Sequence, residues 1–126
     1  MERGDLVPQF EVTTLEGNRV SYSTIWQHRN LVLVRLPTGE REDSRQYASS
    51  MVARAQGFAE GAATCVITRD EIPWAPAPGV VVADRWGEIV HLAAAPNVAG
   101  LPSPSEILEW VHYIETRCPE CEGEAK

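Results

Sequence analysis

The residues of this chain best suited to chemistry are three cysteines, Cys65, Cys118 and Cys121. Cys118-Pro119-Glu120-Cys121 is their one paired arrangement. Two thiolates at this spacing can hold one metal ion or close a strained local disulfide. A tetrahedral zinc needs four ligands and the pair supplies two, while His28, His91 and His112 are not suitably spaced to complete the set. Two chains would supply four thiolates and make a symmetric dimer. A redox role meets an electrostatic objection, because the pair follows an expected helix rather than starting one. The negative helix end, with Glu115, Glu120, Glu122 and Glu124, opposes thiolate formation, and Arg117 alone favours it. A metal knuckle, a redox pair and an incidental tail all stay open as readings of Cys118 and Cys121.

The remaining candidates read as structural. Cys65 stands between Thr64 and Val66 in an apolar run, which suits a small buried hydrophobe. Asp70 and Glu71 form no recognisable acid-base motif. Gly79 and Gly87 flank a hairpin and do not make a phosphate-binding loop. Trp74, Trp86 and Trp110 beside proline-rich loops suit caps on a core edge better than a recognition surface.

Composition bounds what these residues can serve. A chain of 126 residues fits one domain, and a domain that size buries roughly two-thirds of the surface its unfolded chain exposes. With 44% hydrophobic and 23% charged residues it has a globular composition, and no run approaches the roughly 20 apolar residues of a membrane helix. The start Met1-Glu2-Arg3-Gly4-Asp5 lacks the layout of a secretion signal, which implies a cytoplasmic location. A net charge of −7 argues against nucleic acid and acidic lipid as partners. Three cysteines, an odd number, do not describe a disulfide framework.

The elements that must position these groups follow from periodicity. Residues 8–22 alternate at Phe10, Val12, Thr14, Val20 and Tyr22 around Glu16-Gly17-Asn18, predicting a hairpin. A helical turn bearing Trp26 follows, then Asn30 to Leu36, a nearly continuous apolar run suited to a strand covered on both faces. From Asp43 the period becomes helical through Tyr47, Met51, Val52, Ala55 and Phe58, with Asp43 or Ser44 as cap and Gly57 or Gly61 as terminator. Ala63 to Thr68 reads as the next buried strand, completing a right-handed crossover. Residues 69–78 hold three of the nine prolines and cannot be regular helix. Gly79–Asp84 and Glu88–Leu92 flank Arg85-Trp86-Gly87 as a hairpin in which Gly87 takes a positive φ. Ser103-Pro104-Ser105-Glu106 has the composition of a helix start, and Ile107, Leu108, Val111 and Ile114 line one face after it. These elements predict an α/β domain over 1–117, a mixed central sheet with helices on both faces and an N-terminal β-hairpin, followed by an acidic tail over 118–126.

This order resembles the thioredoxin-like fold, in particular its peroxiredoxin (alkyl hydroperoxide reductase and thiol-specific antioxidant) and redoxin branch. GDLVPQFEVTTLEGNRVSYSTIW is similar to that branch's opening, Asn30 to Leu36 to its central strand, and GVVVADRWGEIVHL to its late hairpin. The resemblance covers residues 4–117. It places Pro78 where the fold keeps a cis-proline facing its active site, and Arg41-Glu42-Asp43-Ser44 where the reactive cysteine motif belongs. Arg41 and Ser44 thus replace the two reactive positions, and no cysteine lies between Met1 and Ala63. A serine hydroxyl is far too basic to replace a thiolate without a positioned base. Arg41 and Arg45 at a helix start could attract an anion, yet Glu40, Glu42 and Asp43 oppose one, so a solvated helix start is the expected state.

Two functions are therefore expected. The first is a non-catalytic binding or assembly module with a protein partner, its surface beside Pro78 and no resident cofactor. The second is an atypical thiol-disulfide oxidoreductase or antioxidant protein that cycles Cys118 and Cys121. Zinc held by Cys118 and Cys121 of two chains would make a homodimer.

Overall fold

The computed structural model describes residues 1–39 and 41–116. Its centre is β3 (Asn30–Arg35), whose residues Leu31 to Val34 are at most 1% exposed. A strand apolar at four successive positions needs cover on both faces, and the sheet supplies neighbours on both edges as well. The order is β4-β3-β5-β6, with β4 spanning Ala63–Thr68, β5 Gly79–Ala83 and β6 Ile89–Ala94. β4 runs parallel to β3, from Asn30↔Ala63 to Arg35↔Thr68, while β5 runs antiparallel to β3 and β6 antiparallel to β5. A separate hairpin joins β1 (Glu11–Thr13) to β2 (Arg19–Ser21).

Side-chain alternation along the strands divides the core in two. Val32, Val34, Val80, Val82 and Val90 face Met51 of α1 (Glu42–Val52), Phe58 of α2 (Ala55–Glu60) and Ile107, Val111 and Ile114 of α3 (Pro104–Thr116). Leu31, Leu33, Val81, Ala83 and Ile89 face Val12, Tyr22, Ile25, Ile72 and Ala75. The helical cover is thus uneven. The three α-helices among the described residues lie on one face, and the other carries the hairpin, a 3-10 turn at Tyr22–Thr24 and the proline-rich loop. Each large apolar side chain so enclosed contributes about 1.5–3 kcal/mol.

The helix expected from Asp43 to Phe58 is broken. Arg54, at φ −104° and ψ 15°, leaves helical geometry and bonds back to Met51 O, so α2 starts at Ala55. Met51 and Phe58 stay in the core, whereas Val52 is 60% exposed. Gly57 lies inside α2 and Gly61 follows it; a side chain on Gly61 would collide with Val111 Cγ1, so the end of α2 can meet α3 only through glycine. Nor are Asp43 and Ser44 caps: Arg41 holds the N-cap position without a side-chain capping bond, and Asp43 Oδ1 accepts the Ser44 N–H from within the first turn.

Elsewhere local chemistry acts as the residue types imply. Asp84 Oδ1 accepts the N–H groups of Trp86 and Glu88, closing the β5–β6 turn over Gly87 at φ 88°. Ser103 Oγ accepts the Glu106 N–H, half of a capping box.

Candidate functional site

Parallel β3 and β4 end at the same side of the sheet, where open α/β sheets place their ligands. The register Arg35↔Gly79 puts the start of β5 beside the end of β3. Pro78, buried and joined to Ala77 by a cis peptide, therefore leaves the sheet at the end from which residues 36–41 lead into α1.

Arg41 is exposed and its Nε lies 3.3 Å from Asp43 Oδ1; Arg45 Nη2 lies 2.7 Å from Glu42 Oε2. Each arginine is thus paired with a carboxylate of its own helix turn, and the helix start holds no excess positive charge for an anion. Ser44 faces the core with 0% exposure, and its Oγ has no hydrogen-bond partner among the described residues. A serine hydroxyl needs a positioned base and access to substrate to act as a nucleophile, and the described residues offer this one neither.

Two residues whose structural part sequence reading did not foresee secure this end. Arg35 donates through Nε to Asp70 O at 3.1 Å and through Nη1 to the carbonyls of Ile72 and Ala75, fastening the loop that leads to Pro78. Asp70 Oδ2 accepts the Thr13 N–H at 2.7 Å, tying the same loop to the hairpin. An arginine closing an otherwise apolar strand was the available signal for the first; nothing in the sequence marks the second.

Cys65 is not fully enclosed. It lines a cavity of about 630 Å³ between β4, the hairpin turn and the helices, with Leu15, Ala48, Met51, Phe58 and Ile67. Burial in this apolar setting pushes its thiol up to about 12, so it is protonated at neutral pH. The signal for the cavity was the small residues on opposed elements, Ala48, Ala55, Ala59 and Ala63.

Three of the four tryptophans, Trp74, Trp86 and Trp110, occupy separate places. Trp74 packs on Phe10, Trp110 stacks on His91 with ring centres 4.6 Å apart, and Trp86 is 62% exposed at the hairpin tip. Cys118 and Cys121 lie outside the described residues. Among the described residues, no group of three or more His, Cys, Asp and Glu side chains is placed to hold a metal ion. No described helix is long and apolar enough to cross a membrane.

No family model matches the chain, and no curated protein does. Solved structures match its shape. The 2-Cys peroxiredoxin of Plasmodium vivax superposes with a TM-score of 0.73 at 14% identity, over 91% of this chain and 82% of that one. Peroxidoxin BcpB of Mycobacterium tuberculosis gives 0.69 at 15% identity, over 90% of this chain and 98% of that one. A peroxiredoxin-like protein of Aquifex aeolicus gives 0.67 at 10% identity, over 90% and 88%. With its mixed four-stranded sheet, its crossover helix pair and its N-terminal hairpin, the chain has a thioredoxin-like fold of the peroxiredoxin and redoxin type.

Proposed function

We propose that this is a thioredoxin-fold protein without peroxidase or disulfide-exchange activity at the α1 start, a cytoplasmic binding or assembly module whose protein partner meets the surface beside Pro78. The observation that supports this reading is Ser44: at the position where the resemblance implies a reactive sulfur, an alcohol is sealed in the core with no base on its Oγ. Arg41, the other substituted position, is engaged with Asp43. The remaining described cysteine, Cys65, is held as the inert thiol.

Turnover of hydroperoxide and of a protein disulfide, measured on the full chain and on the Cys118→Ser/Cys121→Ser double variant, tests the reading. The double variant is expected to be inactive on both. Activity that survives loss of both tail sulfurs would refute the inactive scaffold.

A second reading, favoured by the C-x-x-C spacing, has Cys118 and Cys121 cycle between dithiol and disulfide. It requires reversible oxidation of that pair at low peroxide, read by thiol titration of wild type and Cys118→Ser; an unreactive pair removes it. Zinc shared by Cys118 and Cys121 of two chains predicts a dimer that chelator dissociates, and a chelator-insensitive monomer removes that form of assembly.

A further inference from the structure

We propose that the cavity beside β4 docks an extended peptide of a partner protein, seating one large apolar side chain that is followed closely by a lysine or arginine. This inference rests on the reading of the chain as a binding module and locates a surface separate from the one beside Pro78.

Three observations meet at this place. The first is an open stretch of sheet edge. Asn30 N donates to Ala62 O and Leu36 N to Thr68 O, so the even-numbered carbonyls of this stretch point toward β3. The odd-numbered ones point outward: Ala63 O accepts from Arg29 Nη2 at 3.1 Å, and Ile67 O accepts from Leu15 N at 3.1 Å. Between these two plugs stands Cys65, whose N–H and C=O share the outward direction and meet no protein partner among the described residues. One residue of an extended peptide can satisfy both groups, the mode of strand addition, while the plugs bar a long strand and with it uncontrolled edge-to-edge pairing.

The second observation is the space beneath that edge. The cavity of about 630 Å³ is within the size range of ligand sites and is lined mainly by apolar side chains, among them Met51, Phe58 and Ile67. Val52, at its rim, is left 60% exposed. A side chain projecting from a peptide paired with Cys65 has an apolar chamber beside it.

The third is charge. Two ionised side chains line the opening, Arg45 and Glu16. Arg45 is paired with Glu42 at 2.7 Å, whereas Glu16 has no ion-pair partner among the described residues. In a chain of net charge −7 the uncompensated carboxylate favours a basic residue on the occupant and disfavours an acidic one.

A random peptide library selected against the full-length chain provides the test. The selected peptides are expected to share a bulky apolar residue with lysine or arginine within two positions. A synthetic peptide of that consensus, titrated into ¹⁵N-labelled full-length protein, should move the amide signals of Leu15, Cys65 and Ile67. Ala55→Trp, which fills the mouth from an exposed helical position, should weaken binding about tenfold, and Glu16→Lys about fivefold at low salt. Selected peptides that keep full affinity for Ala55→Trp would overturn the proposal. If they instead move the signals of Gly79 and Val80, the binding-module reading stands and this site falls. If no peptide is selected, both fall, and an uncharged apolar dye bound in the cavity in that case would identify a small-molecule pocket instead.

Discussion

The guanidinium of Arg35, the last residue of the central strand, donates to the carbonyl oxygen of Ile72 at 3.1 Å across the start of the proline-rich loop. The same group also bonds to the carbonyls of Asp70 and Ala75. A loop of ten residues joins β4 to β5 without a helix of its own, and this fork supplies donors that a helix would otherwise provide.

Arg35→Leu should therefore destabilise the fold by about 2–4 kcal/mol, since half-buried carbonyls lose charged donors together. Arg35→Lys should recover little, because an ammonium cannot reproduce the planar fork. Urea unfolding of both variants measures this; near-wild-type stability of Arg35→Leu would show that the loop holds without it.

Ser44→Ala should leave the protein as stable as before or more stable by about 1 kcal/mol. The hydroxyl removed is buried and unpaired among the described residues, so its desolvation is uncompensated. The measurement is the urea midpoint at unchanged slope. A loss above about 1 kcal/mol would mean that the Oγ has a partner in solution.

Cys65 should resist alkylation. With its thiol raised from 9.0 to about 12 by burial, the native protein holds about a thousandfold less thiolate than the unfolded chain at pH 8, one power of ten per pH unit. Iodoacetamide kinetics on the Cys118→Ser/Cys121→Ser variant, with and without denaturant, read this ratio. Equal rates in both conditions would contradict a thiol held protonated by its apolar surroundings.

His91 makes stability depend on pH. Burial lowers its pKa, Arg3 lowers it further, and Glu106 acts the other way. The unfolded chain therefore takes up this proton at higher pH than the native one. The contribution is complete above the unfolded value of about 6.5 and is lost as pH falls from there through the lowered native value. His91→Phe, which keeps a ring against Trp110, should flatten the loss of stability as pH falls below about 6.5. An unchanged slope would place the titration elsewhere.

Much of the fold was legible because its determinants are local. The valine-rich run at Asn30–Arg35, the change of period after Asp43, the proline-rich loop and the Asp84–Gly87 turn each announce their element within a few residues. Where reading failed, the cause was a distant contact. The break at Arg54 follows from seating α2 against α3, and the first turn of α1 opens at Glu42 because Ser44 is drawn into the core. The partial exposure of Cys65 follows from the spacing between β4 and the helices, which depends on small residues on opposed elements and not on Cys65 alone.

The sequence by itself determined that no cysteine precedes Cys65, since that is a matter of residue identity, and that the strands and helices alternate as they do, since side-chain period is set by backbone geometry. Only the tertiary structure decided that the three α-helices of the described residues share one face, that Ser44 is sealed without a partner among those residues, and that an apolar cavity opens beside Cys65. Those features depend on which distant surfaces meet and how closely they pack, and packing at that scale is a property of the assembled core rather than of any segment.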